Sequence, residues 1–110
     1  MDFDVRTENG RAIVSLRGRL DLVSAPDCEQ RFREVVADHL AMVVNMDGVE
    51  YVSSAGLKTL FHLARMVKDR NGRVCLVNVN GNVRSVIEIS GLDRVLDVRD
   101  SMDEAVAAVS

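Results

Sequence analysis

The chain has little of what catalysis, metal binding or secretion usually requires. Its 110 residues include two cysteines, two histidines, one proline, one tyrosine, three phenylalanines and no tryptophan. Cys28 and Cys75 stand in apolar patterns without metal or redox spacing, so buried reduced thiols are expected. His39 and His62 form no paired ligand spacing with them, which argues against a metal site. There is no Walker A loop, and no G-x-G-x-x-G follows a strand, so no nucleotide cofactor is expected. No apolar run approaches the roughly 20 residues that span a bilayer, so no membrane insertion is expected. The first residues, Met1-Asp2-Phe3-Asp4, are acidic and lack the charged and apolar regions of a signal peptide; a cytoplasmic location is the expectation. Lys and Arg number 14 against 17 Asp and Glu, for a net charge of -3. With no basic run, direct nucleic-acid binding is not expected.

What is present is a well-patterned globular chain. Hydrophobic residues make up 47% and charged residues 28%, enough for a core and too apolar for disorder. Pro26 is the only proline, and no repeat or low-complexity tract divides the chain, so residues 1–110 are read as a single domain. Phe3, Val5 and Thr7 alternate with polar residues, as do Ala12, Val14 and Leu16, and the Asn9-Gly10 pair between them predicts a hairpin. Ser24 is placed as a helix cap, with Asp27 in the capping-box position and Pro26 in the first turn. Cys28, Phe32, Val35, Val36 and Leu40 then mark one buried helical face. Met42 to Met46 is apolar almost without alternation, which predicts a central strand. A helix starting at Ser53 or Ser54 is expected to stop near Asn71-Gly72.

Val74 to Val77 reads as a second buried strand. Val83, Val86 and Ile87 sit on a short helix stopped by Gly91, and Val95, Leu96 and Val98 on a last edge strand. Ser101 and Glu104 open a final helix with Ala105, Val106 and Val109 inward. The order β-β-α-β-α-β-α-β-α predicts an α/β fold: a mixed sheet of four to five strands with about four helices.

The segment richest in possible chemistry is Val49-Glu50-Tyr51-Val52-Ser53-Ser54-Ala55-Gly56-Leu57, between the central strand and the stripe Leu57, Leu60, Phe61, Ala64, Val67. A hydroxyl there lies at the positive end of a helix dipole, which suits a phosphate, bound or attached. An esterase reading fails on residues: Val52 replaces the first glycine of a nucleophile elbow. His62 lies eight positions from Ser54, about 12 Å along a helix, too far to act as its base. A plain N-cap at Ser53 or Ser54 would account for one serine of the pair. Gly56, early in a helix, costs roughly 1 kcal/mol against Ala and points to a close approach of a partner or another backbone segment. Gly18-Arg19-Leu20-Asp21 reads, on chemistry alone, as an ordinary strand exit.

Taken together, Gly18-Arg19-Leu20-Asp21, Val44-Asn45-Met46-Asp47, the Val49 to Leu57 segment and Ser90-Gly91-Leu92-Asp93 resemble a STAS domain of the bacterial anti-anti-sigma factor type, over nearly the whole chain. The resemblance implies a binding switch rather than an enzyme. The unmodified protein would bind an anti-sigma factor with serine kinase activity and so release a sigma factor. Phosphorylation would end that complex, and a PP2C-type phosphatase would reset it. By position the acceptor is Ser54, with Ser53 as second choice, because Ser53 stands where many members carry Asp. Asp21, Ser53, Ser54, Ala55, Gly56, Lys58, His62 and Arg65 are the expected partner-binding residues. The alternative within the fold is a STAS scaffold or regulatory subunit of another complex, in secretion or signalling control or as a lipid transporter accessory subunit, without phosphorylation.

Overall fold

Alternating apolar residues on both sides of Asn9-Gly10 build the first hairpin of the computed structural model, which describes residues 1–110. Strands β1 (Asp2–Glu8) and β2 (Arg11–Leu20) pair antiparallel, with Glu8 opposite Arg11. Asn9 and Gly10 take φ values of 50 and 80. A two-residue turn needs both positive to match the twist of its strands. The chain then alternates: α1 (Ala25–Asp38), β3 (Ala41–Val52), α2 (Ser54–Asp69), β4 (Arg73–Val77), α3 (Gly81–Ser90), a 3-10 turn (Leu92–Arg94), β5 (Asp97–Arg99) and α4 (Met102–Ala108). The five strands lie in sequence order, and all neighbours after the hairpin are parallel. The expected α/β architecture, mixed in strand direction with four helices, is the one observed.

The two sheet faces carry unequal cores. Ala12, Val14 and Leu16 of β2 and Met42, Val44 and Met46 of β3 meet Phe32 of α1, Leu60 and Leu63 of α2 and Ile87 of α3 in the main cluster. On the other face Ile13, Val43, Cys75 and Val77 pack under Ala105 and Val109 of α4. With both faces covered, Met42–Val44 of β3 and Val74–Val77 of β4 are buried on both sides, which explains their unbroken hydrophobic runs. Cys28 and Cys75 are buried free thiols, one in each core. Burial pushes them up to about 12 and about 11 respectively.

Three sequence expectations are corrected, while the Asn71-Gly72 stop of α2 holds. Ser24 does not cap α1 with its side chain, and Asp27 pairs with Arg31 at 3.0 Å instead of closing a capping box. The Ser24 hydroxyl is instead turned back to the end of β2, bonded to Arg19 O and Asp21 N. Leu40 lies beyond α1 and is 57% exposed; its contribution is its carbonyl, which accepts from Arg73 N at 2.7 Å. A Cβ on Gly72 would come within 2.5 Å of that same oxygen, so Gly72 serves a backbone approach while Asn71 supplies the positive φ of 58. Finally, Val95 and Leu96 fall outside the last strand, because Gly91 (φ 81) and buried Leu92 wind the chain into the 3-10 turn first.

Candidate functional site

Parallel strands deliver their C-terminal ends, and the loops leaving them, to one edge of the sheet. Here β2 ends in Asp21-Leu22-Val23-Ser24 and β3 ends in Ser53-Ser54, and the two loops are tied by a hydrogen bond from Ser53 N to Leu20 O at 2.9 Å.

The β2 loop is organised by Asp21. One carboxylate oxygen accepts from the N–H groups of Val23 and Ser24, each at 3.1 Å. Ser24 Oγ donates to Arg19 O at 2.7 Å and accepts from Asp21 N at 3.0 Å. The Asp21 carbonyl accepts the N–H of Ala25 at 2.8 Å and so starts α1. The donated N–H of Ser24, foremost, and then that of Val23 and the nearby Arg19 guanidinium, hold the Asp21 carboxyl below its ordinary value of 3.8. A turn closed by side-chain and backbone oxygens has no use for apolar side chains, and Leu22 and Val23 project into solvent at 76% and 89% exposure. Sequence reasoning passed over these two; the available signal was an apolar pair inside a polar turn.

In the β3 loop the serine pair divides its work. Ser53, extended at φ -84 and ψ 178, is the N-cap of α2, and its Oγ accepts from Gly56 N at 3.2 Å. Ser54 is the first residue of the helix and is exposed. Its hydroxyl makes no hydrogen bond to the protein. The Ser54 and Ala55 N–H groups have no carbonyl one turn back to bond, so the positive end of a 16-residue helix is open beside that hydroxyl. Gly56 meets the expectation of close approach: a Cβ there would lie 2.4 Å from Leu20 O and 2.8 Å from Leu20 Cγ. Only glycine lets α2 start against the end of β2.

The first turns of α1 and α2 then enclose a groove of about 300 Å³, whose walls include Leu22, Pro26, Ala55, Lys58 and His62. Lys58 is exposed and forms no ion pair. His62 is not a free surface side chain: its Nδ1 donates to Glu29 Oε1 of α1 at 2.6 Å, and Glu29 also binds Arg33 at 3.3 Å. Glu29 is a second residue that sequence reasoning missed, because an α1–α2 pairing 33 positions apart leaves no local pattern. Of the expected partner-binding residues, Asp21, Ser53, Ser54, Ala55, Gly56, Lys58 and His62 thus gather around these two loops and the groove. Arg65 does not line that groove; it borders a second depression further along α2, which reaches the 3-10 turn and which His62 also lines. His39, the other histidine, bridges Thr7 and the Val35 carbonyl at the far end of β3.

Comparison with known proteins agrees with this geometry. Residues 2–105 match the STAS domain family. The anti-sigma-F factor antagonist RsfB of Mycobacterium tuberculosis is 30% identical over 106 residues, spanning 96% of this chain and 86% of that protein. The crystal structure of an anti-sigma factor antagonist from Mycobacterium paratuberculosis is 32% identical, with a TM-score of 0.89 over 98% of this chain and 92% of that one. The Bacillus cell fate determinant SpoIIAA, solved in its phosphorylated form, shares the fold at a TM-score of 0.75 and 19% identity, over 99% of this chain and 100% of that one. These relatives carry the names of regulators.

Proposed function

The chain belongs to the STAS domain family, and on that premise we propose that it is an anti-sigma factor antagonist switched by phosphorylation of Ser54. Unmodified, it binds an anti-sigma factor that also has serine kinase activity, and the sigma factor is released. The Ser54 hydroxyl then takes the γ-phosphoryl group of ATP, and the complex separates. A PP2C-type phosphatase hydrolyses the phosphoserine and restores the binding form. On this reading the chain is the substrate of a kinase and not itself an enzyme, and it works in the cytoplasm with the transcription machinery.

One observation carries the choice of acceptor: Ser53 Oγ is held as the cap of α2, whereas the Ser54 hydroxyl is exposed and unbonded. A phosphate at Ser54 adds roughly -1.5 to -2 charges at neutral pH. The helix dipole favours an anion there, so the fold tolerates it. A partner packed over Leu22, Val23 and the α1–α2 groove would have to desolvate that charge. A loss of about 2.8 kcal/mol weakens binding about a hundredfold, so the switch needs no change of shape.

The test is incubation with the anti-sigma factor kinase and ATP, read by intact mass and peptide mapping. One phosphate on Ser54 is expected, abolished by Ser54→Ala. Ser53→Ala should cost about 1 kcal/mol of stability through the lost cap and still be labelled. Label retained in Ser54→Ala and lost in Ser53→Ala would overturn the assignment.

A further inference from the structure

Further along α2, beyond His62, lies a second depression. It measures about 540 Å³ and lies between α2 and the 3-10 turn. Phe61 and Val95 form its apolar walls, small Ala64 its floor, Arg65, Lys68 and Arg94 its rim, and the Glu29-paired His62 its border with the α1–α2 groove. The turn is firmly placed: Gly91 at φ 81 ends α3, Leu92 is fully buried, and Arg94 N and Val95 N donate to Gly91 O and Leu92 O at 3.1 and 3.0 Å. Val95 is thereby held 57% exposed, an apolar side chain facing α2 with nothing over it.

Three cations without ion-pair partners converge on this groove. Arg31 and Arg33 on α1 are each paired with a carboxylate one turn away, and Arg84 and Arg99 are paired near β5. Arg65, Lys68 and Arg94 have no carboxylate within 4.0 Å. Asp93 and Asp97 line the adjoining depression at the C-terminal end of α2, which Lys68 and Arg94 also border. In a chain of net charge -3, an apolar groove rimmed by three cations that form no ion pair attracts anions locally. Its size falls within the usual range for small-molecule sites, which combine apolar walls with a few charged groups.

We infer that this groove binds a small amphiphilic anion: an apolar body of alkyl or aromatic type lies between Phe61 and Val95, and its carboxylate or phosphate meets Arg65, Lys68 and Arg94. The site adjoins the groove beside the proposed phosphorylation switch through His62, which lines both, but its anion-binding rim is distant from Ser54. Arg65 lies eleven residues from Ser54, about 16 Å along the helix axis, so the two can succeed or fail independently.

The test is a heteronuclear NMR titration of the full chain with decanoate and with 1-naphthoate. Decanol serves as the body without the charge, and inorganic phosphate as the charge without the body. The expected result is saturable shifts confined to amides of Phe61, Arg65, Lys68 and Val95 with at least one of the two anions, tenfold or more tighter than with decanol or phosphate. The exposed double substitution Arg65→Gln with Arg94→Gln should weaken that binding at least tenfold, and Val95→Asp should do the same while leaving the rest of the spectrum unchanged. Absence of saturable shifts with both anions, shifts spread evenly over the surface, or unaltered binding by the double variant would overturn the proposal.

Discussion

Gly56→Ala is the sharpest test of how the site is built. The added methyl would sit 2.4 Å from Leu20 O and 2.8 Å from Leu20 Cγ. The oxygen is backbone, in a strand and already accepting from Ser53 N at 2.9 Å, so it cannot swing aside. Relieving the clash means moving the start of α2 away from β2. Overpacking of this kind costs about 1–3 kcal/mol, and weakening the Ser53–Leu20 hydrogen bond adds about 1 kcal/mol. Alanine's better helix propensity returns about 1 kcal/mol. The net expectation is a loss of about 2 kcal/mol, or a fall in Tm of roughly 8 °C for a domain of this size. Gly81→Ala is the matched control. Gly81 is the first residue of α3, and nothing lies within 4 Å of a Cβ built there, so that variant should be neutral or stabilised by up to about 1 kcal/mol. Urea and thermal denaturation followed by circular dichroism give both numbers. Gly56→Ala as stable as Gly81→Ala would refute the close-approach argument.

Other outcomes follow from the same geometry. Leu22→Asp and Val23→Asp should leave Tm within about 2 °C of the parent, because both side chains are already in solvent. They should weaken anti-sigma factor binding tenfold or more in calorimetry, and unchanged affinity would remove the β2 loop from the proposed interface. Asp21, whose carboxyl is held below 3.8, stabilises the fold above that pH, and its contribution disappears as pH falls through the lowered folded-state value. Asp21→Asn keeps an oxygen acceptor for the turn, so the stability gap between parent and variant should close on acidification; a gap that stayed constant with pH would count against the charged turn. Cys28 and Cys75, raised to about 12 and about 11 chiefly by burial, should resist an aromatic disulfide reagent at pH 8 and react only as fast as the chain unfolds. Labelling within seconds in native buffer would contradict their burial.

The points where sequence and structure diverge share a cause. Ser24 carries the right side chain for a cap, but its Oγ is already engaged, donating to Arg19 O and accepting from Asp21 N, and only the folded turn sets that. Leu40 and Val95 continue an apolar rhythm that the backbone has already left: the helix has ended before one, and a 3-10 turn intervenes before the other. The Asn9-Gly10 hairpin, the Asn71-Gly72 stop and the Ser101 cap were legible because each depends on local backbone chemistry alone. Ser101 Oγ accepts Glu104 N at 3.2 Å, as its spacing implied.

For this chain, short-range pattern was enough to settle the order of strands and helices, the alternation that fills two cores, and the serine pair at the mouth of α2, because propensity, capping and hydrophobic period act over a few residues. Which serine caps the helix and which stands free was settled by the tertiary structure, through the approach of α2 to Leu20 that Gly56 permits. The same holds for the exposure of Leu22 and Val23, the tie between His62 and Glu29, and the placing of Arg65 beside the 3-10 turn. Each of these depends on backbone and side chains distant in sequence meeting at one place, and no local pattern encodes such a meeting.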